Sequence, residues 1–410
     1  TKAESHLSIW KPKHKQKIPT PLTRGGLVNH QQTPSFPLIF LLLCLNNMAS
    51  KRDYTASNIL VLEGLEPVRK RPGMFIGSTD EKGLHHLAYE IVDNSVDEAL
   101  EGFATIIRVT INKDGSLAVE DNGRGIPIDI NPKYKISGRE LAMTKLHAGG
   151  KFDAKVYKAS GGLHGVGASA VNALSAWMIV EVGQKGKLYR QSYKIGNPDA
   201  SVKEIGKTEF SGTKTTFLPD NTIFSTVEWH YQTIRNSIRD RAYLVPKLRF
   251  TLKDERTDLE ETFYFEGGIK SLVSHLNQNK LTLSDVFYVN KEIATPVAPV
   301  IVEVAMQYND AFGENVESYV NVINTKDGGT HLTGFRIALT RAVNDYGKKI
   351  GAIKDGQESF IGDDLREGLT AVVYIKMPAD KLQFESQTKT KLNNAEVQPA
   401  VASVVKEALD

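Results

Sequence analysis

The stretch Leu84–Glu101, LHHLAYEIVDNSVDEALE, decides how the rest of the chain is read. Leu84, Leu87, Ala88, Ile91, Val92, Val96, Ala99 and Leu100 recur at gaps of three and four. That is the period of an amphipathic helix laid on a core. The opposite face carries Glu90, Asp93, Asn94, Asp97 and Glu98, with no Lys or Arg in the stretch. Carboxylates three and four apart on a helix repel one another, and Asn competes for backbone hydrogen bonds in a helix interior. Two readings are open at this point. One is a solvated acidic face; the other is a face that holds a divalent cation and a general base. Asn and carboxylate oxygens suit Mg2+, which completes its shell with phosphates and water.

Outward from this helix the pattern alternates. Ile106–Ile111 reads as a strand, Asn112–Ser116 (NKDGS) as a hairpin turn and Leu117–Val119 as the returning strand. Met178–Val182, Lys187–Lys194 and Thr213–Leu218 continue a sheet, followed by a helix over Val227–Val245 and strands at Leu248–Leu252 and Thr262–Phe265. Glu266-Gly-Gly268 is the expected domain boundary. Beyond it, strands are expected at Val297–Gln307, Glu317–Val322 and Leu369–Met377, and helices at Leu332–Tyr346 and Ala395–Leu409. Strands interleaved with helices place the chain in the α/β class.

Composition narrows the function. The 410 residues are 40% hydrophobic, enough for two or three packed domains. Six basic residues against Glu4 alone put +5 in residues 1–47, which leaves −2 of the +3 total for the rest. Any nucleic-acid contact must therefore be a local patch. The single cysteine, Cys44, excludes an intramolecular disulfide and a Cys-built zinc site. Residues 1–47 are expected to be a leader or non-native extension. Their apolar run Leu38–Leu45 is too short to span a bilayer, and Met48 looks like a natural start.

Three glycine-bearing stretches carry chemistry. Asp121–Pro127, DNGRGIP, reads as a tight turn in which Asp121 can accept from an exocyclic amine while a flat base lies against backbone. His147–Lys151 (HAGGK) and Ser160–Gly167 (SGGLHGVG) lead into a helical stretch, Ala168–Leu174, and offer backbone N–H groups to an anion. The run does not close in Gly-Lys-Ser/Thr, so it is not a P-loop. Its order, Gly162, Gly165, Gly167, is the reverse of the dinucleotide fingerprint. A flexible linker and a satisfied loop histidine at His164 remain the plainer readings of these residues taken alone.

Together, six motifs resemble the ATPase fragment of the bacterial gyrase B family of type II DNA topoisomerases. They are Tyr89–Leu100 (YEIVDNSVDEAL), Asp121–Pro127, Leu146–Asp153 (LHAGGKFD), Ser160–Ser175 (SGGLHGVGASAVNALS), Gly328–Phe335 (GGTHLTGF) and Ser386–Leu392 (SQTKTKL). The resemblance runs from about Tyr54 to the C-terminus. It implies a GHKL (Bergerat) ATP-binding domain at 48–268, an α+β sandwich with an N-terminal dimerisation arm, then a ribosomal-S5-like transducer at 269–410. By the same resemblance Glu90 is the general base, Asn94 the Mg2+ ligand and Asp121 the acceptor of the adenine amine. Arg124, Gly125 and Pro127 line the base pocket, and Tyr157 and Thr213 complete it. Lys151 and the run Gly162, Leu163, His164, Gly165, Val166, Gly167 wrap the phosphates. Gln387 and Lys389 reach the γ-phosphate from the second domain. Tyr54 contacts nucleotide in the other protomer, and Arg190 matches an arginine beside the pocket that aminocoumarin-type inhibitors use.

The resemblance further implies ATP and Mg2+, a homodimer closed by ATP through the arm, a gyrase A partner and double-stranded DNA. It places the protein in the bacterial cytoplasm, or in an organelle if residues 1–47 are a transit peptide. No later acidic metal motif follows before Asp410, so this chain is expected to hydrolyse ATP without supercoiling DNA alone. The B subunit of topoisomerase IV shares every motif. A nucleotide-binding clamp without turnover is opposed by Glu90, and a sensor kinase by the second domain's motifs.

Overall fold

The computed structural model describes residues 55–152, 157, 160–162, 164–354, 356–386 and 389–410. The chain divides into two compact units, residues 1–61 and 62–410. In the first, the described residues form one tight turn of helix, Ala56–Asn58, with Asn58 Oδ1 accepting from the Thr55 amide at 2.8 Å.

The second unit opens with short helices α1 (Glu66–Lys70) and α2 (Gly73–Ile76), then α3 (Glu81–Leu100). The α3 helix starts three residues before the expected Leu84 because Asp80 caps it. The Asp80 side chain accepts from Lys82 N at 2.9 Å and Gly83 N at 3.3 Å. Its apolar stripe is buried at Leu84, Leu87, Ala88, Ile91, Val92 and Val96, and each large side chain contributes about 1.5–3 kcal/mol by leaving water.

This stripe lies on a nine-stranded sheet. Its strands are β1 (Ile106–Ile111), β2 (Leu117–Asp121), β3 (Ser175–Gln184), β4 (Lys187–Lys194), β5 (Asn197–Pro198), β6 (Lys203–Lys207), β7 (Gly212–Pro219), β8 (Arg249–Asp254) and β9 (Leu259–Phe263). The order is β5-β4-β3-β7-β2-β1-β8-β9, with β6 on β4. All pairings are antiparallel except β1–β8. Strand β2 is central, so Asp121 at its end emerges in the middle of the sheet. Helices α4 (Gly138–Thr144), α5 (Gly167–Ala173) and α6 (Tyr231–Leu244) complete this layer. The sequence pattern started α6 at Val227. Instead Trp229 is pinned to the β1–β2 hairpin by its Nε1 on Gly115 O at 2.8 Å, and His230 N donates to His85 Nε2 at 3.0 Å. Those bonds hold the segment extended, and the helix begins at Tyr231.

After α7 (Ile269–Leu276), a second sheet has the order β10-β11-β14-β12-β13. The strands are β10 (Phe287–Ile293), β11 (Val300–Tyr308), β12 (Asn315–Val320), β13 (Ile323–Asn324) and β14 (Leu369–Lys376). The sequence pattern missed β10, whose outward residues are mostly polar. Strand β14, LTAVVYIK, is buried on both faces, which explains its unbroken apolar run. Leu369, Ala371, Val373 and Ile375 join a core with α8 (Thr330–Lys349) and α9 (Val397–Leu409). Val372 and Tyr374 face the other way, into the core that also contains α3 and α7.

His331 sits fully buried at the start of α8, with Nε2 at 2.9 Å from Thr325 Oγ1. Burial lowers its pKa from 6.5 to about 4. The unfolded chain therefore binds a proton that the folded chain refuses. The stability His331 contributes is present above pH 6.5 and lost as pH falls toward 4, about 3 kcal/mol over the window. Urea unfolding at pH 7 and pH 4.5 checks this: His331→Gln should lose visibly less stability across that interval than the unmodified chain.

Candidate functional site

Residues of α2, α3, the β2 end, the loop around α4, the glycine run, β3, β7 and the Lys389 loop line a cavity of about 860 Å3. The acids of α3 are not a solvated face, because each has a partner, three of them from outside the helix. Asp93 pairs with Arg241 at 2.6 Å, Asp97 with Lys151 at 2.5 Å, Glu98 with Arg124 at 2.9 Å and Glu90 with His86 at 3.1 Å. Arg241, Lys151 and Arg124 come from α6 and two loops, so tertiary cations remove the repulsion that the isolated helix would suffer.

At one end of the cavity Asp121 is 5% exposed. Its carboxylate accepts from Gly123 N at 2.9 Å, Ser95 Oγ at 2.8 Å and Thr213 N at 3.3 Å. Burial pushes its pKa up against these donors. The turn below is packed backbone to backbone. A Cβ on Gly125, whose φ is +77°, would lie 2.8 Å from Val182, and one on Gly212 would lie 1.9 Å from Asp121 O. Thr213 Oγ1 accepts from Ile126 N at 3.1 Å and holds the turn leading to Pro127. Arg124 is clamped by Glu98 and stacks 3.9 Å over Phe103. Tyr157 donates to the same carboxylate, and burial together with Glu98 pushes its phenol well above its ordinary range.

At the other end lie Glu90, Asn94, Lys151, the glycine run and Lys389. Gly161 N and Gly162 N donate to Asp97 at 2.7 and 3.3 Å. Lys151 Nζ also donates to Asn94 Oδ1 at 2.6 Å. A Cβ on Gly162 would stand 2.7 Å from Lys151 Nζ, and one on Gly167 would stand 1.9 Å from Glu90 Oε2. Glycine at these two positions lets the charged side chains approach the loop. Lys389, at φ +57°, places Nζ 3.2 Å from Gly161 O. Burial acts to raise the Glu90 pKa, but the His86 hydrogen bond and the charges of Lys389 and Lys151 bring it down to about 2. Burial and the charge on Lys389 lower His164.

Glu90, Asn94, Asp121, Arg124, Gly125, Pro127, Lys151, Tyr157, Gly162, His164, Gly165, Val166, Gly167, Thr213 and Lys389 all line this one cavity. Tyr54, Leu163 and Gln387 lie outside the described residues, as do residues 1–47. Arg190 sits on β4 opposite Glu181, exposed and paired with it at 3.8 Å, outside the residues that line the cavity. Gln184, at the end of β3, is one of the lining residues. Reading the sequence also gave no role to His86, Ser95, Asp97 or Glu98. The i,i+4 spacing of His86 and Glu90 was the available signal for the first, while the others needed their partners to be seen.

The donor set fits Mg2+. Asn94 and Glu90 offer an amide and a carboxylate oxygen to the same cavity, and among the described residues no cluster of three His, Cys, Asp or Glu could hold a metal. An ion here would take most of its shell from phosphate and water, as Mg2+ does. Lys151 would have to leave Asn94 Oδ1 first.

Residues 79–221 match the family described as histidine kinase-, DNA gyrase B- and HSP90-like ATPases, and residues 268–410 match the family described as DNA gyrase B. The DNA gyrase B protein of Thermotoga maritima is 51% identical over 362 residues, 87% of this chain and 56% of that protein. The B protein of DNA topoisomerase 4 from Staphylococcus aureus is 50% identical over 366 residues, 88% of this chain and 54% of that protein. The chain thus spans about half the length of the curated relatives it matches. The crystal structure of the 43K ATPase domain of Thermus thermophilus gyrase B, in complex with an aminocoumarin, superposes with a TM-score of 0.72 at 41% identity, covering 84% of this chain and 88% of that one.

Proposed function

Since the chain belongs to the gyrase B family of type II topoisomerase ATPases, we propose that it binds ATP in this cavity and hydrolyses it to ADP and phosphate. The observation that carries the reading is the polarity of the cavity. A buried acceptor, Asp121, stands at one end, and a carboxylate, Glu90, stands beside Lys151 and Lys389 at the other. Adenine would donate its amine to Asp121 and lie against the Arg124–Pro127 turn, with Tyr157 and Thr213 closing that end. The phosphates would run to the glycine loop and the two lysines. Phosphoryl transfer is mostly positioning and charge stabilisation, so these groups suffice for it.

Glu90 orients and polarises the attacking water. With a pKa near 2 it is a carboxylate at every relevant pH, and a weak base while two ammonium groups face it. A polyphosphate would draw Lys389 and Lys151 to itself and so raise the basicity of Glu90 when the substrate is in place. Asn94 would hold Mg2+, which neutralises phosphate charge when bound. Lys389 adds its charge at the γ-phosphate, with Gln387 beside it.

In this reading residues 48–268 form the ATP-binding domain and 269–410 the transducer, and residues 1–47 precede a dimerisation arm containing Tyr54. ATP closes two copies into a clamp that traps a segment of double-stranded DNA and passes it through a gate cut in DNA by a gyrase A partner, in the bacterial cytoplasm. No helix among the described residues is long and apolar enough to cross a membrane. The B protein of topoisomerase IV is the second reading, favoured by the Staphylococcus aureus relative's similar identity. The test is ATP turnover per chain against chain concentration. Turnover should rise as dimers form; turnover that is flat over a hundredfold range would rule out the clamp.

A further inference from the structure

We infer that Asn321 is a positioning residue for hydrolysis: it ties the glycine loop to the second sheet and holds the Gly161 peptide where Lys389 meets it. This rests on the reading of Lys389 as part of the hydrolytic machinery. Asn321 is fully buried in the two-residue turn between β12 and β13. Its Nδ2 donates to Ser160 O at 3.1 Å and to Met377 O at 2.7 Å, and its Oδ1 accepts from Met377 N at 2.9 Å. One side chain thus bonds the first residue of the glycine run and the end of β14.

Gly161, next to that bond, faces three ways. Its N–H donates to Asp97 at 2.7 Å, and its carbonyl accepts from Lys389 Nζ at 3.2 Å. A Cβ on Gly161 would lie 3.2 Å from Asn321 O and 3.3 Å from Val322 Cγ2. The pair that Asp97 forms with Lys151 therefore connects, through the two peptide groups that flank the Gly161 Cα, to the turn of the second sheet and to Lys389. Side-chain tethers of this kind fix reacting groups at small cost in freedom once the fold is made.

The turn carries a second, independent mark. Asn321 and Val322 have φ of +45° and +68°. Both signs positive make a hairpin turn that prefers Asn followed by Gly, and a β-branched residue in this region is strained. Strain kept in a buried turn clusters where geometry serves function. Here the strained residue is the one whose Cγ2 closes on Gly161.

Asn321→Gly keeps a residue suited to positive φ and removes the tether. The expected result is a roughly tenfold lower kcat, with the Kd of a non-hydrolysable ATP analogue changed less than about twofold. In the nucleotide-free chain the Gly161 amide should exchange at least about tenfold faster. In a Lys389→Ala background the same substitution should lower kcat no further, because both act through the one residue Gly161. Asn321→Asp keeps the acceptor for Met377 N and loses the donors, and should behave alike if Asn321→Gly fails to fold. Unchanged Gly161 exchange, or equal losses with and without Lys389, would overturn the inference. Impaired Lys389→Ala beside normal Asn321→Gly sinks this inference alone. Normal turnover in Lys389→Ala sinks it together with the reading beneath it.

Discussion

Glu90→Gln is expected to bind ATP with near-normal affinity and to lose turnover by about 10²–10⁴-fold, the range for a general base. The substitution keeps the side chain's volume beside Gly167, whose Cα allows the approach of Glu90 Oε2. It removes a carboxylate that faces both Lys389 and Lys151. The adenine end, built on Asp121, Thr213 and the Arg124 turn, is untouched, so binding and chemistry should separate. Single-turnover hydrolysis beside equilibrium binding of a non-hydrolysable analogue measures both. Retained turnover in the variant would remove Glu90 from the mechanism and move the search to another base in the cavity.

Lys389→Ala should reduce hydrolysis by about 10²–10³-fold, the usual loss when one preorganised donor to a transition state is removed. Lys389 stands 228 residues from Gly161 in sequence, yet donates to its carbonyl, so it reaches the cavity only because the second sheet carries it there. Its loss should also relieve Glu90 of one facing cation and raise that carboxylate toward its ordinary range. The pH dependence of the residual rate gives an internal check. If the Lys389 charge faces Glu90, the acid limb of kcat/KM, which reports the free enzyme, should move to higher pH in the variant. An unmoved acid limb with a normal rate would mean that Lys389 only packs against the loop.

Most of the secondary structure was legible, and the reasons are local. The α3 stripe, the NKDGS turn and the run of β14 each carry their period or turn chemistry in contiguous residues. Boundaries shifted where distant bonds intervened: Trp229 on Gly115 delayed α6, and the Asp80 cap advanced α3. Strand β10 was missed because an edge strand with polar outward positions lacks a hydrophobic signature. At the cavity, residues inside motifs could be named from sequence. Arg190, expected beside the pocket, lies on β4 outside the cavity lining, while Gln184 at the end of β3 is part of it, and strand period alone does not say which residues of a hairpin reach a pocket.

By itself the sequence determined the helix face, the glycine spacing and the family, since each is a pattern of neighbouring residues. Only the tertiary structure decided what the acidic face is for. Four like charges on one helix are unfavourable until Arg241, Lys151, Arg124 and His86 arrive beside them, and three of those partners are set by folding rather than by the helix. The same holds for Asn321 and Lys389. Nothing in the local sequence of Asn321 points to the glycine loop, Lys389 is named for the γ-phosphate only through its motif, and both touch the loop only because the second sheet packs there, burying Tyr319, Val322 and Tyr374 in the core it shares with α3.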